Sequence, residues 1–293
     1  MKILLLPLIA ALSMTLRGAE PPVPGVTRDV PYTGEQNERL MLDVYAPEAA
    51  KNLPVIFWIH GGGWQKGDKS EMDRKPQAFT DAGFIFVATN YRFLPGVEMR
   101  TIVSDVAKAI RWVHEHIAGH GGDARRIIVM GHSAGAQLAA LVCTDERYLK
   151  AEGLPLSAIR ACVPVDGDTY DVTLQVETAA ARRHSLGQPE PKFGHREKFG
   201  GSDEKLRDLS AVHHVARGKG IPPFLLVHVG DHPDKAAQAK RLQDALTEVG
   251  LPVKTYAAPA TDHVRINANH GQPDDPATEA VLQFLAGVMS GKQ

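Results

Sequence analysis

The pentapeptide Gly-His-Ser-Ala-Gly at Gly131–Gly135 restricts the possible folds of this chain more than any other segment. It directly follows the apolar run Ile127–Met130 and leads into the alanine-rich stretch Ala134–Cys143, whose composition favours a helix. Small residues on both sides of Ser133 permit a tight turn between a buried strand and a helix, and such a turn holds the serine hydroxyl above the end of a sheet. The sequence therefore predicts a strand, a sharp turn and a helix, with a nucleophile at Ser133.

Apolar runs alternate with helical patterns along most of the chain. An antiparallel hairpin is predicted at the start, with strands at Val26–Tyr32 and Leu40–Tyr45. Later strands are predicted at Val55–Ile59, Phe84–Thr89, Ile127–Met130, Ala161–Val165, Phe224–Val229 and Val253–Ala257. Because helical segments separate these later strands, the pattern predicts an α/β fold with a mainly parallel, doubly wound sheet of eight strands and a leading antiparallel hairpin.

The chain of 293 residues is predicted to contain one main domain. A basic start, a short apolar centre and a small-residue exit predict a signal peptide over residues 1–19, and therefore a secreted or periplasmic protein without stable membrane insertion. A proline-rich linker is predicted over 20–29 and the folded domain over 30–293. Residues 168–220 have weak apolar periodicity, which predicts a cap-like insertion over the site; a surface excursion is the alternative.

The charge and cysteine content exclude several classes of protein. The formal net charge is −1, so the composition provides no electrostatic basis for binding nucleic acid. The two cysteines, Cys143 and Cys162, lie in a predicted helix and a predicted strand, which favours two buried thiols over a disulfide. Neither a CxxC pair nor a Cys/His array is present, so the cysteines and histidines predict no zinc site. The oligomeric state is left open.

A second motif, His60-Gly61-Gly62-Gly63-Trp64, follows the predicted strand Val55–Ile59. Attack by a serine on an acyl carbon places negative charge on the carbonyl oxygen, and backbone amides aimed at that oxygen stabilise the transition state. A glycine run allows the close approach that this requires. The predicted oxyanion hole consists of the amides of Gly62, Gly63 and Ala134. Trp64 and His132, which flank these residues in sequence, are predicted to contact substrate.

A serine nucleophile needs a base and an orienting carboxylate, which in this type of site follow the serine in the order acid, then histidine. Asp231 follows the strand Phe224–Val229 and is the predicted acid, with Asp234 as the alternative. His263 lies on the loop after the last strand and is the predicted base, with His270 as the alternative.

These motifs together resemble the α/β-hydrolase fold serine esterases, a group that is also described as hormone-sensitive-lipase-like. The resemblance is closest to the subgroup of carboxylesterases and feruloyl esterases in which the HGGGW motif is followed by Gly67-Asp68-Lys69-Ser70. It extends from about residue 30 to residue 288. It implies cleavage of short-chain or aromatic carboxylic esters, including carbohydrate-linked esters, through an acyl-enzyme and without a metal or cofactor. Two alternatives are an arylformamidase-type amide hydrolase and an inactive binding protein on the same fold.

Overall fold

The computed structural model of this chain describes residues 25–291. The predicted signal peptide therefore lies outside the described residues. Residues 26–31, part of which falls in the range predicted as linker, form the first strand. Within residues 25–291, none of the helices combines the length and the apolar character that a membrane span requires.

Eight strands and ten α-helices are present in residues 25–291. The strands are β1 Val26–Pro31, β2 Met41–Tyr45, β3 Leu53–Ile59, β4 Ile85–Thr89, β5 Gly122–His132, β6 Ile159–Val165, β7 Phe224–Val229 and β8 Val253–Ala258. The helices are α1 Lys75–Asp81, α2 Met99–His116, α3 Ala134–Val142, α4 Glu146–Ala151, α5 Val172–Ser185, α6 His195–Lys198, α7 Asp203–Asp208, α8 Pro233–Glu248, α9 Arg265–Ala268 and α10 Pro276–Met289.

The strands form one sheet in the order β1-β2-β4-β3-β5-β6-β7-β8. β1 pairs antiparallel with β2, β2 pairs antiparallel with β4, and every later pairing is parallel. The predicted α/β class, strand number and antiparallel start are therefore confirmed. In a parallel sheet, the carboxyl ends of the strands lie on one edge, where binding sites of open α/β sheets form.

The helices bury both faces of the sheet in two apolar clusters. One cluster joins β3 and β5 to α2 and α3, and includes the fully buried Phe57, Val129 and Leu138. The other lies beneath α1 and α10, and includes Trp58, Phe86 and Val281. Successive strand residues such as Phe57 and Trp58 point to opposite faces, which explains why the central strands are continuously apolar in sequence. Cys143 and Cys162 are buried and free, as the sequence favours.

The segment between β6 and β7 holds α5, α6 and α7. Phe199, directly after α6, is fully buried and packs edge-on against Trp64, with 5.0 Å between the ring centroids. Lys198 lies over the same indole ring, 5.6 Å from its centroid. The segment is therefore held against the glycine-rich loop that follows β3.

Candidate active site

Ser133 lies in a strained turn between β5 and α3. Its φ of 57° and ψ of −117° are rare for a residue with a side chain. The turn requires glycine on both sides, because a Cβ at Gly131 would stand 2.5 Å from the Gly135 carbonyl oxygen, and a Cβ at Gly135 would stand 2.1 Å from the Ile59 oxygen. The geometry is that of the strand–turn–helix predicted from the pentapeptide, with the hydroxyl at the carboxyl edge of the sheet.

His263 reaches this hydroxyl from the loop after β8. Its Nε2 lies 3.0 Å from Ser133 Oγ, although 130 residues separate the two along the chain. The side chain of His263 is 40% exposed, so the imidazole lies where a substrate and water can reach it. On the same loop, Asp262 Oδ1 accepts hydrogen bonds from the amides of Val264 and Arg265 and fixes the backbone after the imidazole.

The carboxylate in contact with His263 is Asp166, not the predicted Asp231. Asp166 Oδ2 lies 2.5 Å from His263 Nδ1. Asp166 is fully buried and directly follows β6, with a φ of 54° that turns its side chain toward the imidazole. Asp231 is exposed at the end of the neighbouring strand, β7. The prediction of Asp231 is corrected to Asp166, because both residues end strands on the same edge and only Asp166 is directed inward.

The alternative acid, Asp234, and the alternative base, His270, lie away from Ser133. Asp234 is in the first turn of α8 and pairs with Arg182 of α5. His270 is fully buried between Trp58 and Phe79, and neither of its ring nitrogens has a hydrogen-bond partner among residues 25–291. His270 is enclosed by these aromatic rings, whereas His263 Nε2 contacts Ser133 Oγ, so His263 is the histidine that the fold brings to the nucleophile.

Electrostatics keep Asp166 ionised. Burial alone disfavours its charge, but the hydrogen bond to His263, the positive charge of Lys235 and the Val229 amide outweigh that effect and lower the pKa of Asp166 to about 2. The Val229 amide donates to Asp166 Oδ1 over 2.9 Å. A carboxylate in this state accepts the Nδ1 proton of His263 and leaves Nε2 free to accept from Ser133.

The glycine-rich loop lies against the nucleophile turn. A Cβ at Gly61 would stand 3.2 Å from Ser133 Cβ, and the Gly62 carbonyl accepts from the amides of Gln65 and Lys66. In the part of the chain that the structure describes, the amides of Gly62, Gly63 and Ala134 donate to no other protein group. The three amides predicted to form an oxyanion hole are therefore free to donate beside Ser133.

Side chains behind the loop fix its shape. His60 stacks on Tyr91 at 4.3 Å between centroids, and the Tyr91 hydroxyl donates to the His60 carbonyl over 3.0 Å. The Asp68 carboxylate accepts from Arg39 and from Asn90, each over 2.9 Å. The polar residues that follow the HGGGW motif thus stabilise the loop from below.

Trp64 does not line the site as predicted. It is 3% exposed, its Nε1 donates to Gln137 over 3.2 Å, and its ring packs against Phe199. The indole therefore packs between the glycine-rich loop and the segment between β6 and β7.

His132 borders the site but is also engaged with protein. Its Nε2 donates to the His263 carbonyl oxygen over 3.0 Å, and the two rings lie 4.6 Å apart. Burial, with a smaller effect of His263, lowers the pKa of His132 to about 3, so the ring is neutral and able to both donate and accept.

A cavity of about 490 Å³ opens beside the triad. Its lining residues are Trp58, His60, Gly61, Gly62, Lys66, Gly67, Glu71, Met72, His132, His263, Val264 and Asn267. Its walls combine residues of the glycine-rich loop with apolar surface from Met72 and Val264. A cavity of this size and composition fits a small organic group.

Asp166 could have been found in the sequence. It directly follows a predicted strand, Ala161–Val165, in the segment Val165-Asp166-Gly167-Asp168. The same rule that selected Asp231 applies to it.

The family model named BD-FAE matches residues 42–246. The chain belongs to the BD-FAE family. The matched range includes the glycine-rich loop, Ser133, Asp166 and Lys235, and ends before His263.

Relatives of this BD-FAE chain have names that refer to ester hydrolysis. It is 29% identical over 281 residues to "Esterase LipQ" of Mycobacterium tuberculosis, which covers 91% of this chain and 63% of that protein. It is 30% identical over 277 residues to "Probable carboxylic ester hydrolase LipM" of the same organism, covering 89% of this chain and 61% of that protein. The chain thus spans less than two thirds of the length of these two relatives.

Solved structures share the fold at low sequence identity. An inhibited esterase B from Lactobacillus rhamnosis has a TM-score of 0.74 at 19% identity, covering 91% of this chain and 88% of that chain. A truncated carbohydrate esterase from gut microbiota also has a TM-score of 0.74, at 20% identity, covering 93% of this chain and 99% of that chain. These similarities establish the α/β-hydrolase fold for this BD-FAE member.

Proposed function

We propose that this chain is a serine hydrolase that cleaves carboxylic esters through an acyl-enzyme. The observation that supports it is the continuous contact from Asp166 Oδ2 to His263 Nδ1 over 2.5 Å and from His263 Nε2 to Ser133 Oγ over 3.0 Å. A serine, a histidine and an ionised carboxylate in this order form a unit that activates a hydroxyl. The names of the LipQ and LipM relatives support the same chemistry.

In the first half-reaction, Ser133 Oγ forms a bond to the acyl carbon while its proton moves to His263 Nε2. The carbonyl electron pair moves to oxygen, where the amides of Gly62, Gly63 and Ala134 stabilise the negative charge. Asp166 stabilises the imidazolium. Collapse of the intermediate breaks the bond to the alcohol oxygen, which takes the proton from His263.

In the second half-reaction, water replaces the alcohol. His263 takes one proton from water as the water oxygen attacks the acyl carbon, and it returns the proton to Ser133 Oγ as the acid leaves. No group other than the substrate and water is consumed in these steps.

The cavity beside the triad favours small substrates. Its volume of about 490 Å³ and its mixed polar and apolar lining fit a short acyl chain or one aromatic ring, including the acyl group of a carbohydrate-linked ester. Val264, 72% exposed next to His263, adds an apolar edge to the opening.

A fluorophosphonate probe tests the nucleophile directly. We expect wild-type protein to be labelled at Ser133 and to hydrolyse p-nitrophenyl acetate, and we expect S133A to lose both properties while keeping the same circular dichroism spectrum. Full activity of S133A would contradict the proposal, and so would folded wild-type protein that is neither labelled nor active.

A substrate panel tests the class of substrate. Rates on p-nitrophenyl esters of two to twelve carbons, on a methyl ferulate and on N-formylkynurenine distinguish ester from amide hydrolysis. Activity that is highest on short or aromatic esters supports the proposal. A kcat/KM on the formamide above that on every ester would contradict it.

Export is a separate part of the proposal. The basic and apolar start of the chain supports cleavage near residue 19 and a mature protein outside the cytoplasm. Intact-mass measurement of protein recovered from medium, periplasm and cytoplasm tests it. Full-length protein confined to the cytoplasm would contradict it.

A further inference from the structure

A buried lysine lies against the acid of the triad. Lys235, in the first turn of α8, is 5% exposed, and its Nζ donates to the Asp166 carbonyl oxygen over 2.8 Å. The same Nζ lies 3.6 Å from Asp166 Oδ2 and 3.8 Å from Asp168 Oδ2. The Lys235 ammonium group therefore contacts both the backbone carbonyl and the carboxylate of Asp166.

Burial of Lys235 destabilises the folded protein unless the neighbouring carboxylates remain charged. An ammonium group that leaves water loses its hydration, and only close opposite charges and hydrogen bonds offset that loss. The first turn of a helix adds a further cost, because the amino end of a helix disfavours cations. The negative partners that offset these costs for Lys235 are Asp166 and Asp168, both on the loop after β6.

The segment from the end of β7 to the first turn of α8 thus provides a cation at the place where the sequence predicts an acid. It holds Asp166 from two directions, since Lys235 of α8 contacts the Asp166 carbonyl and Oδ2 while the amide of Val229, the last residue of β7, donates to Oδ1. Asp231, in the loop between β7 and α8, is exposed and does not contact Asp166.

We infer that Lys235 is a positioning residue that fixes the carboxylate of Asp166 and limits how strongly that carboxylate favours protonation of His263. The inference rests on the proposed function, because it assigns Lys235 a role in the activity of Ser133 and His263. Lys235 contacts no reacting atom and acts through Asp166.

The expected effect on pH dependence follows from the charges. Negative charges at Asp166 and Asp168 attract a proton to the neighbouring imidazole, and the positive charge of Lys235 repels it. Without Lys235, His263 remains protonated, and inactive as a base, up to a higher pH. The acid limb of the kcat/KM profile should therefore move upward by about one pH unit.

The remaining ionisable groups near this cluster are known. His132 from the nucleophile turn has a pKa lowered to about 3, and His195 and Lys198 from α6 have lowered pKa values, each chiefly through burial. Burial raises the pKa of Tyr170, which precedes α5, and the Arg265 amide lowers the pKa of Asp262, which precedes His263. His132 is neutral across the working range, and all five groups remain in place in a Lys235 variant. A shift of the limb on replacing Lys235 is thus attributable to its charge.

The experiment compares two replacements with a control on the same helix. K235Q removes the charge but keeps a donor, K235R keeps the charge, and K240Q changes an exposed lysine that pairs with Asp244 over 2.8 Å. Fluorophosphonate titration gives the concentration of active sites, so kcat and KM on p-nitrophenyl acetate are expressed per functional Ser133. The pH profile of kcat/KM is measured for each protein.

We expect K235Q to lower kcat about tenfold with little change in KM and to move the acid limb upward by about one unit. K235R should keep the wild-type limb, and K240Q should match wild type in all respects. A K235Q profile that superimposes on the K240Q profile would overturn the inference while leaving the proposed function intact. If K235Q does not fold, K235R provides the test. Because K235R keeps the positive charge, an acid limb of its kcat/KM profile about one pH unit above that of wild type would overturn the inference. An inactive, unlabelled wild type would instead contradict the proposed function.

Discussion

His263 Nδ1 lies 2.5 Å from Oδ2 of Asp166, a residue 97 positions earlier in the chain. The acid of this site therefore follows β6, while the base follows β8 two strands further across the sheet. Between them, β7 provides the Val229 amide that donates to Asp166 Oδ1. Three adjacent strands thus determine the position of one imidazole.

Replacing Asp166 should reduce activity far more than replacing Asp231. We expect D166N to lower kcat on p-nitrophenyl acetate about 10³-fold to 10⁴-fold, because an amide neither fixes the His263 tautomer nor stabilises its cation. D231N is the matched control and should stay within about twofold, since Asp231 is exposed. Steady-state kinetics at pH 8 check both. The reverse ranking would show that Asp231 replaces Asp166 during turnover.

The hydrogen bond from His132 Nε2 to the His263 carbonyl predicts that His132 positions the loop that carries His263. We expect H132L to lower kcat about tenfold to 100-fold with little effect on KM, because the loop that holds His263 loses its contact with the nucleophile turn. H132Q places an amide donor near the same position and should recover part of the loss. Equal activity of H132L and H132Q in kinetics corrected for active-site concentration would argue against this role.

A methyl group in the glycine-rich loop should disable the site. The φ of Gly62 is +110°, and a Cβ there would stand 2.0 Å from the Lys66 carbonyl oxygen, so the loop must move. We expect G62A to lower kcat about 100-fold or more through displaced amides. Gly119 has open space around it, and G119A should behave as wild type. Kinetics and thermal melting of both variants test this; a G62A enzyme with wild-type kcat would contradict the assignment of the oxyanion hole.

Burial of His270 predicts acid sensitivity of the fold. Burial, with a smaller effect of Lys75, lowers its pKa to about 3, whereas an unfolded histidine has a pKa near 6.5. Between these values the unfolded state binds a proton that the folded state does not. Stability is therefore fully present above about pH 6.5 and declines as the pH falls toward 3.

At pH 5 this histidine should lower the free energy of unfolding by about 2 kcal/mol relative to its value above pH 6.5. We expect H270F to reduce the loss of unfolding free energy between pH 7 and pH 5 by about that amount, as measured by urea denaturation. H184Q changes an exposed histidine and is the control. His60 and His132, whose pKa values are about 4 and 3, should account for much of the remaining dependence. An H270F protein with the wild-type pH dependence would contradict the argument.

Contact between Phe199 and Trp64 predicts how the segment between β6 and β7 is held against the glycine-rich loop. Phe199 is fully buried, so F199A should lower the free energy of unfolding by about 3 kcal/mol. Because Phe199 contacts no member of the triad, we expect KM to rise more than kcat falls. F193A removes a ring that is 37% exposed and should change both quantities little. Denaturant melts and ester kinetics check both variants. An F199A protein with the stability and KM of wild type would contradict this role of Phe199.

Local sequence patterns were sufficient for the sheet and for two members of the triad. Continuous apolar runs such as Val55–Ile59 form strands because both faces of a central parallel strand are buried. The glycines around Ser133 permit only a turn of that shape. His263 is the first histidine after the last strand, and the carboxyl edge is where that loop must lie.

The same reasoning could not choose between Asp166 and Asp231. Each directly follows, or nearly follows, a parallel strand, and each precedes His263 in the chain. The choice depends on the direction of a side chain, which Asp166 takes from a φ of 54° and from contacts with Val229 and Lys235. Those partners are more than 60 residues away, so no local pattern contains them.

The sequence by itself determined the α/β sheet, the turn that presents Ser133 and the loop that bears His263, because each depends on neighbours within a few residues. Tertiary structure alone decided which carboxylate meets the imidazole, that Trp64 packs against Phe199, and that Lys235 lies beside the acid. These outcomes depend on which distant side chains share one buried volume, where an unpaired charge is too costly to persist.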